Sequence, residues 1–241
     1  MKYFTKKWYA DTLVADMCFQ LKSSSKAAKY NEKLFSSLYN AQKRWFVRSE
    51  KIIAKSNKAT FDPIAAEEAF KANFNENLEF VKANIPQSIL EKVADVRVLA
   101  LGSASREVTD EIVRFCGGVD RRCEAVVNEY EKEVESLAES IGWLKINSLE
   151  KIANSAIEIA ELEENGNFVF ATSAEYTGVP CRIDLIGAKV EKCDEGLVNA
   201  AVAHYEILPS DNGELCFSAL CQKLDGSLIE FSAKMTDFEV I

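Results

Sequence analysis

At 241 residues, 48% hydrophobic and 28% charged, the chain has the composition of a soluble globular protein with one or two domains and a real core. No run approaches the ~20 apolar residues of a membrane span. The start, Met-Lys-Tyr-Phe-Thr-Lys-Lys-Trp-Tyr, lacks the apolar stretch of a secretory signal, so a cytoplasmic location without membrane attachment is expected. The net charge of −9 conceals a gradient. Residues 1–60 carry 13 Lys and Arg against 4 acids, residues 61–165 carry 11 against 22, and residues 166–241 carry 5 against 12. A basic first quarter must face something negative, and the simplest partner is the acidic remainder of the same chain. The seven cysteines are odd in number, scattered and without a Cys-x-x-Cys pair, which points to reduced thiols.

In chain order, residues 5–21 read as a short helix with Thr5 as N-cap, and Ser23-Ser24-Ser25 as the break and next cap. A long helix is expected from Lys26 to about Ser56. Tyr30, Leu34, Leu38, Ala41, Trp45, Arg48 and Ile52 step along it by four or three, which places Trp45 in the core. Asp62-Pro63 sets a capping carboxylate before a proline at the first helical position. The helix that follows carries the stripe Phe70, Phe74, Leu78, Val81 and Ile85 and ends at Pro86. Ile89 to Leu101 reads as one buried helix stopped at Gly102, with a strand over Val96–Leu101 as the competing reading. Ser103 or Ser105 would cap a helix to Cys116, closed by Gly117-Gly118.

The longest stripe is Val119, Cys123, Val126, Tyr130, Val134, Leu137 and Ile141, a helix of roughly 35 Å around which the others would pack. Gly142 is its stop, and Asn147 with Glu150 resembles a capping box for a helix over about 148–163, closed by Asn165-Gly166. The period then changes. Phe168–Thr172, Cys181–Val190, Val198–Leu208, Glu214–Gln222 and Ser227–Phe238 read as strands, with Asp225-Gly226 and Asp211-Asn212-Gly213 as turns. The expected fold class is α+β. About seven helices fill a domain over 1–165, and a five-stranded antiparallel meander or small barrel fills 166–241.

The opening Met-Lys-Tyr-Phe-Thr-Lys-x-x-Tyr resembles the start of a bacterial protein family of unknown function. So do Asp95–Gly102 leading into a helix, Tyr205-Glu206 followed by a turn and Glu214-Leu215, and the final Ile229-to-Val240 strand. The resemblance implies a helical region followed by a β-rich tail, and carries no activity. The family pattern has His-Asp-Cys near the start of the tail, where this chain has Val179-Pro180-Cys181.

Candidate chemistry centres on the single histidine. His204 is in phase with Val198, Ala200 and Val202. With Tyr205, Glu206 and Cys181 it is the constellation a catalytic site would need. Zinc would require four ligands at tetrahedral spacing, and Cys216 and Cys221, five apart on a strand, point to opposite faces, so no metal or other cofactor is expected. Gly102–Arg106 could seat a phosphate but lacks the P-loop and dinucleotide spacings, and reads better as a helical corner. Glu129, Glu131, Glu133 and Glu135 read as a solvated helix face.

Lys6, Lys7 and Trp8, and Lys43, Arg44 and Arg48 around Trp45, interleave cations with aromatics as single-stranded nucleic-acid sites do. The leading expectation is a non-enzymatic binding or interaction protein for a small ligand or protein partner. It predicts a concave or apolar surface between the helical and β parts. An enzyme at His204 and a nucleic-acid binder through residues 1–60 are the alternatives.

Overall fold

The computed structural model describes residues 1–17, 20–173 and 180–241. Among the described residues seven α-helices precede a set of antiparallel strands, so the fold is α+β. The expected boundary at 165/166 falls inside a β-hairpin, between the paired strands Ile157–Leu162 and Phe168–Thr172. Packing divides the chain elsewhere, into Thr12–Arg121 and a unit made of Met1–Asp11 with Arg122–Ile241. Among the described residues no helix is long and apolar enough to cross a membrane.

Helix α1 (Lys6–Met17) begins as expected, with the Thr5 hydroxyl accepting from the Trp8 amide at 3.2 Å; residues 18 and 19 of the anticipated helix lie outside the described residues. Helix α2 (Glu32–Ser56) starts six residues after the expected Lys26. Ser25–Ala28 is a 3-10 turn, and Asn31 supplies the cap by accepting from Leu34. Helix α3 (Pro63–Asn84) starts where Asp62 accepts from the amides of Ile64 and Ala65. The two helices pack through Tyr39 against Phe70 and Phe74, ring centroids 5.0 and 5.2 Å apart, and Phe46 against Phe70. Each such pair adds about 0.5–1.5 kcal/mol beyond area burial.

The single helix expected over Ile89–Leu101 is two, α4 (Gln87–Leu90) and α5 (Val96–Ala100). Asp95 breaks it by taking an extended backbone and accepting from the Arg97 amide. The Arg97 guanidinium binds Asp95 and Glu32 and lies 4.1 Å from the Phe35 ring centroid, tying α5 to the start of α2. Gly102 follows at φ +73°, where a Cβ would stand 3.1 Å from the Gln20 carbonyl oxygen. Beyond it β1 (Lys22–Ser23) and β2 (Ser103–Ala104) pair in parallel, and Ser105 caps the next helix through the Val108 amide.

Gly117-Gly118 does not end that helix. Helix α6 (Arg106–Ile141) runs through them for 36 residues, about 54 Å. Val108, Ile112, Cys116, Val119 and Cys123 are all buried along one stripe that crosses the glycines without a change of phase. That packing outweighs the roughly 1 kcal/mol that each helical glycine costs. The stop comes at Gly142, φ +91°, before α7 (Trp143–Ser148).

The helix expected over 148–163 is overturned. A 3-10 turn at Leu149–Ile152 leads through Asn154, φ +59°, into strand β3 (Ile157–Leu162). Asn165-Gly166 is the tip of a hairpin to β4 (Phe168–Thr172), with the Glu163 amide donating to the Asn167 carbonyl at 2.8 Å. The rest comprises β5 (Cys181–Ile186), β6 (Lys189–Cys193), β7 (Ala201–Pro209), β8 (Leu215–Gln222), β9 (Leu228–Met235) and β10 (Asp237–Val240).

These eight strands replace the five expected and form two four-stranded sheets, ordered β10-β5-β4-β3 and β6-β9-β8-β7. The order is not a meander, because the last strands pair with β5 and β6. The β5–β6 and β9–β10 runs bend together at Gly187 (φ +63°) and Thr236, and the register holds across the bend, Ile186 facing Asp237 and Lys189 facing Lys234. At the other side a bridge between Ala156 and Ala201 joins the sheets. Phe168 and Phe170 of one sheet meet Phe231 of the other at 4.6 and 4.7 Å, filling the shared core with Ile183, Leu185 and Phe217.

Candidate functional site

Strand β7 departs from simple alternation. Val202 faces Cys221 and His204 faces Leu220, so Ala203 is an extra residue, a β-bulge. The expectation that His204 shares a face with Val202 fails for this reason. After the bulge Tyr205 and Ile207 pack on the core shared by the two sheets, while His204 and Glu206 take the other face.

That face is covered by the chain's own first residues. The Glu206 carboxylate is 1% exposed and accepts from the amides of Lys2, Tyr3 and Phe4 at 2.8, 2.7 and 2.5 Å. Three converging N–H groups satisfy a carboxylate that burial would otherwise penalise. Lys2 also pairs with Glu133 of α6. The latched strap lays Phe4 edge-on to Tyr130 at 4.8 Å, and α1 brings Trp8 and Tyr9 to His204 at 4.8 and 5.8 Å.

Beside the strap lies a cleft of about 280 Å³ lined by Phe4, Tyr130, Trp143, Ile146, Asn147, Glu150, His204 and Tyr205 among others. Burial lowers the His204 pKa, so the ring is neutral at pH 7. Burial also raises the phenol of Tyr130 to about 12, against the hydrogen bond it accepts from the Ile207 amide. Tyr205 is raised as well, first by burial and then by the charges of Tyr130 and Glu150. Both phenols therefore stay protonated. Glu150 is the one full charge among the lining residues, and among the described residues no cation pairs with it.

The anticipated catalytic set does not assemble. Among the described residues no carboxylate or thiol hydrogen-bonds His204, whose neighbours are the rings of Phe4, Trp8 and Tyr9. The Glu206 carboxylate is engaged by the strap. Cys181 is buried in the core shared by the two sheets, where desolvation pushes its thiol up. Val179 of the Val-Pro-Cys stretch lies outside the described residues. Tyr205 alone lines the cleft with His204. Among the described residues no three His, Cys, Asp or Glu side chains group as a metal site would need.

The basic candidates also separate. Lys6 lies 3.8 Å from Asp194, Lys7 pairs with Asp11 at 2.6 Å, and the Trp8 indole donates to the Cys123 carbonyl at 3.3 Å, all within the unit that holds the two four-stranded sheets. Lys43 pairs with Glu67 of α3 at 3.0 Å. Arg44 and Arg48 are exposed without an ion pair among the described residues. Trp45, expected in the core, is 70% exposed, because Phe35, Tyr39 and Phe46 rather than Trp45 meet α3. Glu150, Trp143 and Tyr130 were invisible as site residues in the sequence. Tyr130 and Glu150 read there as helical positions and Trp143 as part of a link, and long-range packing brings them to one cleft.

No family model, curated protein or solved structure matches this chain.

Proposed function

We propose that this chain is a non-enzymatic binding protein of the cytosol, and that its cleft holds a small organic cation such as a methylated ammonium group. The observation that carries the reading is the lining: Phe4, Tyr130, Trp143 and Tyr205 surround one space whose sole charge is Glu150. Ring faces attract cations by about 0.5–2 kcal/mol each, and a carboxylate without a counter-ion among the described residues adds a directional anchor. A neutral His204 and two protonated phenols leave no positive charge to repel such a ligand. Binding suits the site better than catalysis, because the only imidazole is packed among aromatic rings without an orienting acid. The scattered free cysteines accord with a reducing compartment.

The reading is tested by following Trp143 fluorescence while tetramethylammonium is added to the full chain. Saturable quenching, weakened at least tenfold by Glu150→Gln and abolished by Trp143→Ala, is the expected result. An unchanged affinity in Glu150→Gln would overturn the cationic assignment.

A further inference from the structure

We infer that the exposed face of helix α2 binds single-stranded nucleic acid, independently of the cleft. Lys33, Ser37, Asn40, Arg44, Arg48, Lys51 and Lys55 follow one another at intervals of three or four residues. At 1.5 Å per residue they form a row of donors about 33 Å long on one side of the helix. The acids of α2, Glu32 and Glu50, lie about 120° around the helix from the centre of the row, and Glu32, which borders its N-terminal end, is taken up by Arg97. Glu32, Lys33, Ser36, Ser37, Asn40 and Arg44 line a shallow concavity of about 410 Å³, in which the hydroxyls, the amide and the two cations suit phosphate oxygens while the Glu32 carboxylate is held by Arg97. Trp45 stands beside the row, 70% exposed, and Ile52 continues its edge at 57%. Among the described residues Arg44, Arg48, Lys51 and Lys55 make no ion pair, whereas Lys2, Lys6, Lys7 and Lys43 are paired with acids of their own unit.

The combination selects among anionic partners. A bilayer surface wants a continuous apolar face opposite a basic one, and here Trp45, Ile52 and Ile53 are the exposed large apolar residues of α2 while Tyr39 and Phe46 pack on Phe70 of α3. A row of phosphate donors with an indole beside it is what a single strand uses, the cations following the backbone and the ring stacking on a base. Duplex DNA would leave the indole without a base face to stack on.

The test is fluorescence anisotropy of a labelled oligouridylate with the full chain at several salt concentrations. Five cations on phosphates give a slope of log K against log salt of about −3.5 for a single strand. Replacing Arg44, Arg48 and Lys51 with Gln should flatten that slope by about 2. Trp45→Ala should weaken binding about fivefold or more at unchanged slope. Lys6→Gln with Lys7→Gln, on the other unit, should change neither. These positions are exposed, and circular dichroism melts of each variant check that it folds. Absence of binding at low salt overturns the inference. So does Trp45→Ala binding as wild type, which would mean unspecific adhesion to polyanions. Stronger binding to phosphatidylserine vesicles than to the oligonucleotide would assign the face to a membrane surface instead and also overturn it.

Discussion

Phe4 and Glu206 are 202 residues apart in sequence, yet the Phe4 amide donates to the Glu206 carboxylate at 2.5 Å. With the amides of Lys2 and Tyr3 on the same carboxylate, a single side chain of β7 fixes the first residues of the chain. Phe4 is thereby held as one wall of the cleft. Glu206→Ala should cost about 2–4 kcal/mol, less than three separate charge-assisted hydrogen bonds because the freed strap is hydrated. Urea melts give the energy. Hydrogen exchange at residues 2–4 should rise toward that of free peptide while exchange in β8 and β9 stays slow. Protection retained in the variant would show that the strap is held by its rings instead.

The bulge at Ala203 puts His204 under Phe4, Trp8 and Tyr9, and burial lowers its pKa. In the unfolded chain the ring takes up a proton near its ordinary value of 6.5, while the folded ring resists it. Stability from this group is therefore full above about 6.5, falls as pH drops through that value, and stops falling once the folded ring also titrates. Thermal melts across this range should show the loss, and His204→Asn should flatten it. The chain has one histidine, so its imidazole signal in a proton NMR titration is unambiguous. A midpoint at or above 6.5 in the folded protein would contradict the burial.

Gly102 holds φ +73° with the Gln20 carbonyl oxygen 3.1 Å from where a Cβ would stand. Gly102→Ala should destabilise the protein by about 1–3 kcal/mol, since an L side chain is strained there and the carbonyl is backbone that cannot swing aside. Gly166→Ala carries a similar φ of +84° but has open space around it, so it should cost less. Comparing the two in denaturant melts separates backbone strain from crowding, and equal losses would argue that crowding adds nothing.

Trp45 and Phe70 give opposite expectations for the same kind of truncation. Phe70 is buried against Tyr39 and Phe46, and Phe70→Ala should cost about 3–5 kcal/mol. Trp45→Ala should stay within about 0.5 kcal/mol of wild type. A large loss at Trp45 would place it in the core after all.

The contrast shows which features the sequence discloses. Asp62-Pro63, the stop at Gly142 and the alternation of Ile229, Phe231, Ala233 and Met235 depend on local chemistry, and the structure has them where the residues indicate. The α+β class follows from such signals. Where distant packing decides, local signals mislead. Two glycines inside α6 look like a stop until the buried stripe on both sides is known to be one surface. Asn165-Gly166 serves equally as a helix end or a hairpin tip, and the pairing of β3 with β4 settles it. A one-residue bulge and a strap pinned from 202 residues away leave no mark in the residues around His204, so the cleft was the least legible feature.

The most direct measurement is titration calorimetry of the full chain with choline and with its neutral carbon isostere, in which a tert-butyl group replaces trimethylammonium. The cleft predicts one saturable site for choline and little or no heat from the isostere, with the difference lost in Glu150→Gln. Equal binding of both compounds, or binding of neither, would contradict a cation site formed by Phe4, Tyr130, Trp143, Tyr205 and Glu150.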